Sequence, residues 1–205
     1  MSTELLTVRP DRELTDGETA LLFRLLPPER RERLLRQHRA EQRREPLCAY
    51  GLLLLALRQR LGWRTLPPVD RGPGGKPFFP DFPAVHWNLS HTAGAVLAGV
   101  SDRPLGVDIE HFRPVTLRLM ERLGADSAEE ALRRWVRLEA LAKQRGSGVL
   151  TVLNRPLTGA ENASVHDLAV FPGCVAAAAL GEGESPGRVQ IWTLEALLDT
   201  LAENL

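Results

Sequence analysis

The chain has 205 residues, 43% of them hydrophobic, and its 26 basic residues are balanced by 26 acidic ones, so it can hold one large domain or two small packed ones. That neutrality argues against a duplex-DNA binder, which needs a basic surface, and no nucleic acid partner is expected. Cys48 and Cys174 lie far apart with no CxxC and no His at ligand spacing, and read as buried free thiols of a reducing compartment. The segment MSTELLTVRPDREL lacks a basic region followed by a long apolar run, and LLLLAL (52–57) is too short to span a bilayer. A cytoplasmic chain without a membrane partner is the expectation.

LLTVRP predicts a strand closed by a turn. From Thr15, with Asp16 and Glu18 close behind, a helix carrying Leu21, Leu22, Leu25 and Leu26 is predicted, until Pro27 and Pro28 restart the chain. ERRERLLRQHRAEQRRE predicts an arginine-laden helix over 29–45. LCAYGLLLLALRQRLGW predicts a second helix, apolar around its girth and therefore central to a core. A Gly/Pro loop (70–83) leads into two strands, AVHWNLSHT and AGAVLAGVS, then the turn SDRP and a third strand, LGVDIEHF. Past Pro114 the pattern predicts two helices, VTLRLMERLG and SAEEALRRWVRLEALAKQRG, the latter with Ser127 and Glu130 spaced as a capping box and stopped at Gly146 and Gly148. LTVLNRPL, ASVHDLAVF, CVAAAAL and RVQIWTL predict strands before a closing helix, LEALLDTLAENL. The class is α+β, in two similar halves, 1–102 and 103–205.

Four stretches carry candidate chemistry. In GVDIE, Asp108 and Glu110 lie two apart on a strand and leave the same face, where they repel unless a cation or proton intervenes; an exposed strand end is the plain alternative. In GGKPFFP and HWNLSHT, Lys76 sits in a glycine-shaped loop, while Ser90 and His91 end an apolar strand. They suit phosphate or ribose oxygens, or simply a satisfied turn. Arg30, Arg33 and Arg44 recur near helical spacing and suit phosphate, yet a solvated helix face laced with ion pairs looks the same. In WVRLEALAK, Trp135, Glu139 and Lys143 stand four apart on one stripe. Glu139 before Lys143 is also the favourable order for a helix salt bridge, about 0.3–0.5 kcal/mol. Against that plain reading, only Lys76 and Lys143 are lysines among the 26 basic residues, and an indifferent surface site would have received arginine.

In this order GGKPFFP, WNLSHT, LGVDIE and WVRLEALAK resemble the signatures of the Sfp-type 4′-phosphopantetheinyl transferases. PPERRERLLRQHRAEQRRE is similar to that family's basic N-terminal helix, and IWTLEALL to its closing strand and helix. The resemblance implies transfer of the phosphopantetheine arm of coenzyme A to a serine of an apo acyl or peptidyl carrier protein, with release of adenosine 3′,5′-bisphosphate, in secondary metabolite biosynthesis. It implies a monomer of two similar α/β halves related by pseudo-twofold symmetry, with the active site in the cleft between them. The N-terminal half would bind coenzyme A; the C-terminal half would hold the metal and meet the carrier.

Position by position, the resemblance implies that Asp108 and Glu110 bind Mg2+ (or Mn2+), with Glu139 as third carboxylate or general base. Lys143 would contact the pyrophosphate or protonate the leaving phosphate. Lys76, Ser90 and His91 would hold the nucleotide and diphosphate, and Arg30, Arg33 and Arg44 would stand near the 3′-phosphate. The attacking serine comes from the carrier, so no nucleophile is expected in this chain. Two features depart from the family pattern. Leu138 stands where the family has lysine, which would remove a cation from the site's edge. The segment between Glu110 and Trp135 lacks the Phe-Ser-x-x-Glu stretch, leaving Leu117, Leu119, Met120 and Leu123 as the expected apolar patch for the carrier. A degenerate relative that binds coenzyme A or a carrier without efficient turnover is the alternative.

Overall fold

Alternating apolar residues near the N-terminus form strand β1 (Glu4–Arg9), which sends Leu6 and Val8 into one core and Leu5 into another. This computed structural model describes residues 3–36, 40–72, 74–153 and 157–203. After β1 come helices α1 (Asp16–Leu25) and α2 (Pro28–Leu35), a short 3-10 turn (Ala40–Arg43) and helix α3 (Arg44–Leu61). A two-residue-per-strand hairpin follows, β2 (Asp70–Arg71) with β3 (Pro77–Phe78), and then strands β4 (His86–Thr92), β5 (Ala95–Ser101) and β6 (Gly106–His111). Helices α4 (Leu117–Leu123), α5 (Ala128–Arg145), α6 (Leu150–Leu153) and α7 (Gly159–Ala163) precede strands β7 (Val165–Asp167), β8 (Cys174–Ala179) and β9 (Gln190–Thr193), and helix α8 (Leu194–Ala202) closes the chain.

Two sheets organise these elements. In the first, ordered β4-β5-β1-β9, the strands are antiparallel except that β9 lies parallel to β1. The last strand thus returns to the N-terminal sheet, and α8 puts Leu197, Leu198 and Leu201 into the same core as α3. The second sheet is antiparallel, ordered β6-β8-β7. Helix α3 covers the first sheet and is apolar nearly all round; its leucines, Leu52 to Leu55 and Leu57, are each at most 2% exposed. Each fully buried leucine is worth roughly 1.5–3 kcal/mol of transfer free energy. Helix α5 covers the second sheet with one stripe only, Leu132, Val136 and Leu141 facing Ala177 and Ala179. Between the sheets, Leu5 and Leu97 meet Val107, Ile109, Ala176 and Ala178 in a third cluster. The outcome is a mixed α+β protein. No helix among the described residues is long and apolar enough to cross a membrane.

Three sequence expectations need correction. The arginine helix does not run unbroken to Glu45: α2 ends at Leu35, and Arg44 already opens α3. Beyond Leu35 the sequence offers Ala40 as the sole apolar residue before Leu47, so no buried stripe holds a helix there; residues 37–39 lie outside the described ones. LTVLNRPL forms helix α6 rather than a strand, with Val152 and Leu153 buried, because a short apolar run does not by itself distinguish the two; residues 154–156 again lie outside the described ones. Ser127 does cap α5, accepting the Glu130 N–H, but the Glu130 carboxylate returns to the Asp126 N–H instead of closing a capping box. A reciprocal capping box does form at Thr15 and Glu18. Cys48 is buried, its thiol pushed up to about 12 by that burial, whereas Cys174 is half-buried; both are free.

Candidate active site

Alternation along β6 settles where its acids point. Val107 and Ile109 face the first sheet, so Asp108 and Glu110 face α5 on the opposite side. Helix and strand approach so closely that a methyl group at Gly106 would overlap the Ala140 carbonyl oxygen and the Gln144 backbone nitrogen. That contact lets the Lys143 ammonium reach the strand: Nζ lies 2.6 Å from Asp108 Oδ1 and 3.2 Å from the Val107 carbonyl oxygen. The lysine therefore passes by Glu139 on its own helix and pairs with a carboxylate 35 residues away.

β4 supplies the third side of the cluster. Its Asn88 and Ser90 replace a backbone ladder, Asn88 Oδ1 accepting the Val107 N–H (2.9 Å) and Ser90 Oγ accepting the Ile109 N–H (3.3 Å). Ser90 also donates to Asp108 Oδ1 at 2.7 Å and accepts from Lys143 at 3.1 Å. It is buried, so its hydroxyl orients Asp108 and Lys143.

One oxygen in this cluster is left over. Asp108 is only 5% exposed, and its Oδ2 is buried with no hydrogen-bond partner among the described residues. Burial and the neighbouring Asp108 push the Glu110 carboxyl up from its ordinary range, although Arg113 stands 3.8 Å away. Burial, Asp108 and then Glu110 do the same to Glu139. Three carboxylates thus share one region with less positive charge than their ionisation needs. An orphaned carboxylate oxygen and an all-oxygen donor set fit a hard divalent cation. Among the described residues, however, no three His, Cys, Asp or Glu side chains are drawn together closely enough to form a ready-made metal cage.

Beside this cluster opens a cleft of about 350 Å³, lined from both parts of the chain. Its charged lining is Arg30, Arg71, Lys76 and Lys143, with His91, and no Asp or Glu lines it among the described residues. Burial depresses Lys76 to about 8, and its ammonium hydrogen-bonds the carbonyl oxygens of Leu105 (2.8 Å) and Gln144 (3.1 Å). The loop holding it lies against the end of α5, where any side chain at Gly74 would overlap the Gly146 carbonyl oxygen. His91 lies at the strand end with its edge open to solvent, and the surrounding walls push its imidazole down.

Of the expected anion-binding residues, Arg30, Lys76, His91 and Lys143 meet at this cleft; Ser90, Arg33 and Arg44 do not line it. Arg33 is exposed to solvent, and Arg44 is held by Glu13 (2.6 Å) and Glu45 (2.8 Å). The motif reading missed Tyr50, Arg71 and Trp87, which also line the cleft. Tyr50 left one trace, as the single tyrosine of the chain, interrupting an otherwise leucine-rich helix.

A larger cavity, about 800 Å³, lies away from this chemistry, between α4, α5 and residues 157–162. Two of its arginines are occupied, Arg134 by Glu130 and the Leu123 and Gly124 carbonyls, and Arg137 by Asp167 and Asn162. Leu138 lines this second cavity, 8% exposed, within the core under α5. It does not line the cleft that holds Lys143, so the leucine serves packing on the far side of the helix.

No family model matches the chain. It is 27% identical over 156 residues to a 4′-phosphopantetheinyl transferase of Bacillus subtilis, and 28% identical over 153 residues to the 4′-phosphopantetheinyl transferase Sfp of Bacillus subtilis strain 168; each similarity covers 68% of both chains. Over 88 residues it is 34% identical to the 4′-phosphopantetheinyl transferase psf-1 of Bacillus pumilus, covering 37% of this chain and 38% of that one. The resemblance carried by the motifs is thus a resemblance of sequence along two thirds of the chain, to proteins named as transferases.

Proposed function

We propose that this relative of the Sfp-type 4′-phosphopantetheinyl transferases moves the phosphopantetheine arm of coenzyme A onto a serine of an apo acyl or peptidyl carrier protein. The observation that carries the reading is the pairing of an acid-free cationic cleft with a carboxylate cluster short of positive charge. The cleft suits a polyanionic nucleotide, and the cluster suits the ion that accompanies a diphosphate. Residues 1–102 would supply most of the nucleotide wall, and residues 103–205 the carboxylates and the carrier contact. The protein would act as a cytoplasmic monomer. Leu117 of α4 is exposed, Leu119, Met120 and Leu123 are half-buried, and none of that helix is buried, which leaves an apolar patch open to a carrier helix.

Asp108, Glu110 and Glu139 would hold Mg2+ or Mn2+, which when bound neutralises diphosphate charge and favours departure of the nucleotide. Glu139 takes the proton from the carrier's serine hydroxyl, a role helped by burial and neighbouring acids that raise its proton affinity. The serine oxygen attacks the phosphorus that bears the pantetheine arm. The bond from that phosphorus to the bridging oxygen breaks, and adenosine 3′,5′-bisphosphate leaves. Lys143 stabilises the departing phosphate as a compact charge that Asp108 and Ser90 aim. Lys76, His91 and Arg30 bind and orient the nucleotide.

The test is to incubate the protein with coenzyme A, Mg2+ and a panel of apo carriers and to weigh the carriers by mass spectrometry. Gain of the arm on the carrier's serine is expected. Coenzyme A binding without any gain would instead establish a binder that does not turn over.

A further inference from the structure

Lys76 and Lys143, the two lysines of the chain, line one cleft and are held in opposite ways. Lys143 sets its ammonium against Asp108 Oδ1 and turns its other two donors to Ser90 Oγ and the Val107 carbonyl oxygen. Lys76 has no acid partner among the described residues. Its stem runs past Gly146, where an added methyl group would lie 3.5 Å from Lys76 Cβ. Its nitrogen donates to two carbonyl oxygens only, those of Leu105 and Gln144. Leu105 directly precedes β6, and Gln144 lies in the last turn of α5, where carbonyls lack helical partners.

The charged groups around Lys76 do nothing to hold its proton. Arg71 on β2, Arg30 on α2, His86 and His91 on β4 and Lys143 on α5 are all basic. Asp102, in the turn before Leu105, pairs with Arg60 (3.8 Å). Burial therefore acts unopposed and brings the lysine down to about 8. The two carbonyls also aim the nitrogen, because they accept two N–H groups whether the lysine is charged or neutral. Its third position, an N–H in the ammonium and the lone pair in the free amine, is left to the cleft.

We infer that Lys76 is a modification site, an amine nucleophile that takes the acyl group of a small acyl phosphate drawn into the cleft. Charge identifies the donor: a cationic cleft of about 350 Å³ without acids collects phosphate-bearing anions. A lysine desolvated beside other cations is the activated form of this nucleophile. The ammonium first loses one proton to solvent. The amine nitrogen then bonds to the acyl carbon, and the bond from that carbon to the phosphate oxygen breaks. Inorganic phosphate leaves with the electron pair and takes the second nitrogen proton. The neutral amide that remains removes one positive charge from the cleft, whatever nucleotide the cleft binds.

The test is incubation with acetyl phosphate over a series of pH values, followed by proteolysis and mass spectrometry of the two lysine-containing peptides. Lys76 is expected to be acetylated about tenfold or more faster than Lys143, at a rate that rises through about 8 as the free amine forms. Added inorganic phosphate should slow the reaction at Lys76 by occupying the cleft. Equal rates at the two lysines, an unmodified Lys76, or a rise centred in the ordinary lysine range would overturn the inference. So would a reaction at Lys76 indifferent to inorganic phosphate.

Discussion

Glu45 and Glu139 are both glutamates withdrawn from solvent on long helices, and their surroundings act on them in opposite directions. Glu45 would be pushed up by its burial, but hydrogen bonds from Arg44 and from the Gly94 N–H outweigh that and bring its carboxyl below the usual range. Among the described residues Glu139 has no such donors: burial, Asp108 and Glu110 push it up against the opposing charge of Lys143, whose ammonium pairs with Asp108. Glu45 is a completed structural contact tying α3 to the β4–β5 turn. Glu139 belongs to an arrangement that, on the proposed reading, a divalent cation would complete, and strain of this kind is common where a protein binds or catalyses.

The comparison can be broken at several points. The largest effect is expected from Asp108→Ala, which removes the acceptor of Lys143 and Ser90 and the orphaned Oδ2 together; transfer to a carrier should fall by about a hundredfold or more. Rates near wild type would show that the acid cluster is not the site. Lys143→Arg keeps the charge but not the shape, since Nζ fits among Asp108 Oδ1, Ser90 Oγ and the Val107 carbonyl. A loss of tenfold or more in transfer with little change in melting temperature is expected; an unimpaired variant would return the lysine to an ordinary ion pair.

Leu138→Lys tests the far face of the same helix. If the leucine stood at the site's edge, placing there the lysine that the resemblance leads one to expect would raise activity. Because Leu138 is buried in the core under α5, the variant should instead lose about 2–4 kcal/mol of stability, read by urea unfolding. A smaller effect is expected from pH. Lys76 is charged in the free protein below about 8, so affinity for coenzyme A should fall as pH rises through that value. Lys76→Met should flatten the profile; an unchanged profile would mean that the lysine only binds the Leu105 and Gln144 carbonyls.

Much of this was legible in the chain, where local rules decide. Period-two alternation put Asp108 and Glu110 on one face, and Ser127 and Gly146 bounded α5 as their cap positions predict. What was not legible depends on contacts between distant segments. Glu139 to Lys143 has the spacing of a helix salt bridge, and only the tight approach of β6 at Gly106 diverts the lysine to Asp108. Arg44 shares the arginine pattern of Arg30, yet Glu13, 31 residues away, captures it. Arg71 falls in the Gly/Pro loop of the sequence reading, and only the β2–β3 hairpin brings it to the cleft that Arg30 lines. Leu138 was noticed for its identity, but its meaning follows from which face of α5 it occupies.

The most direct measurement of the central claim is the melting temperature of wild type and Glu139→Gln at neutral pH, each with and without Mg2+. A carboxyl whose folded value is raised stabilises the fold fully below its unfolded value and loses that contribution as pH rises through the folded one. The ionised form of Glu139 is therefore a burden that glutamine lacks. The metal-free variant should melt higher than wild type by roughly 2–4 °C, and wild type should gain more from Mg2+ than the variant does. A variant that melts lower, or an equal gain from Mg2+ in both, would contradict the account.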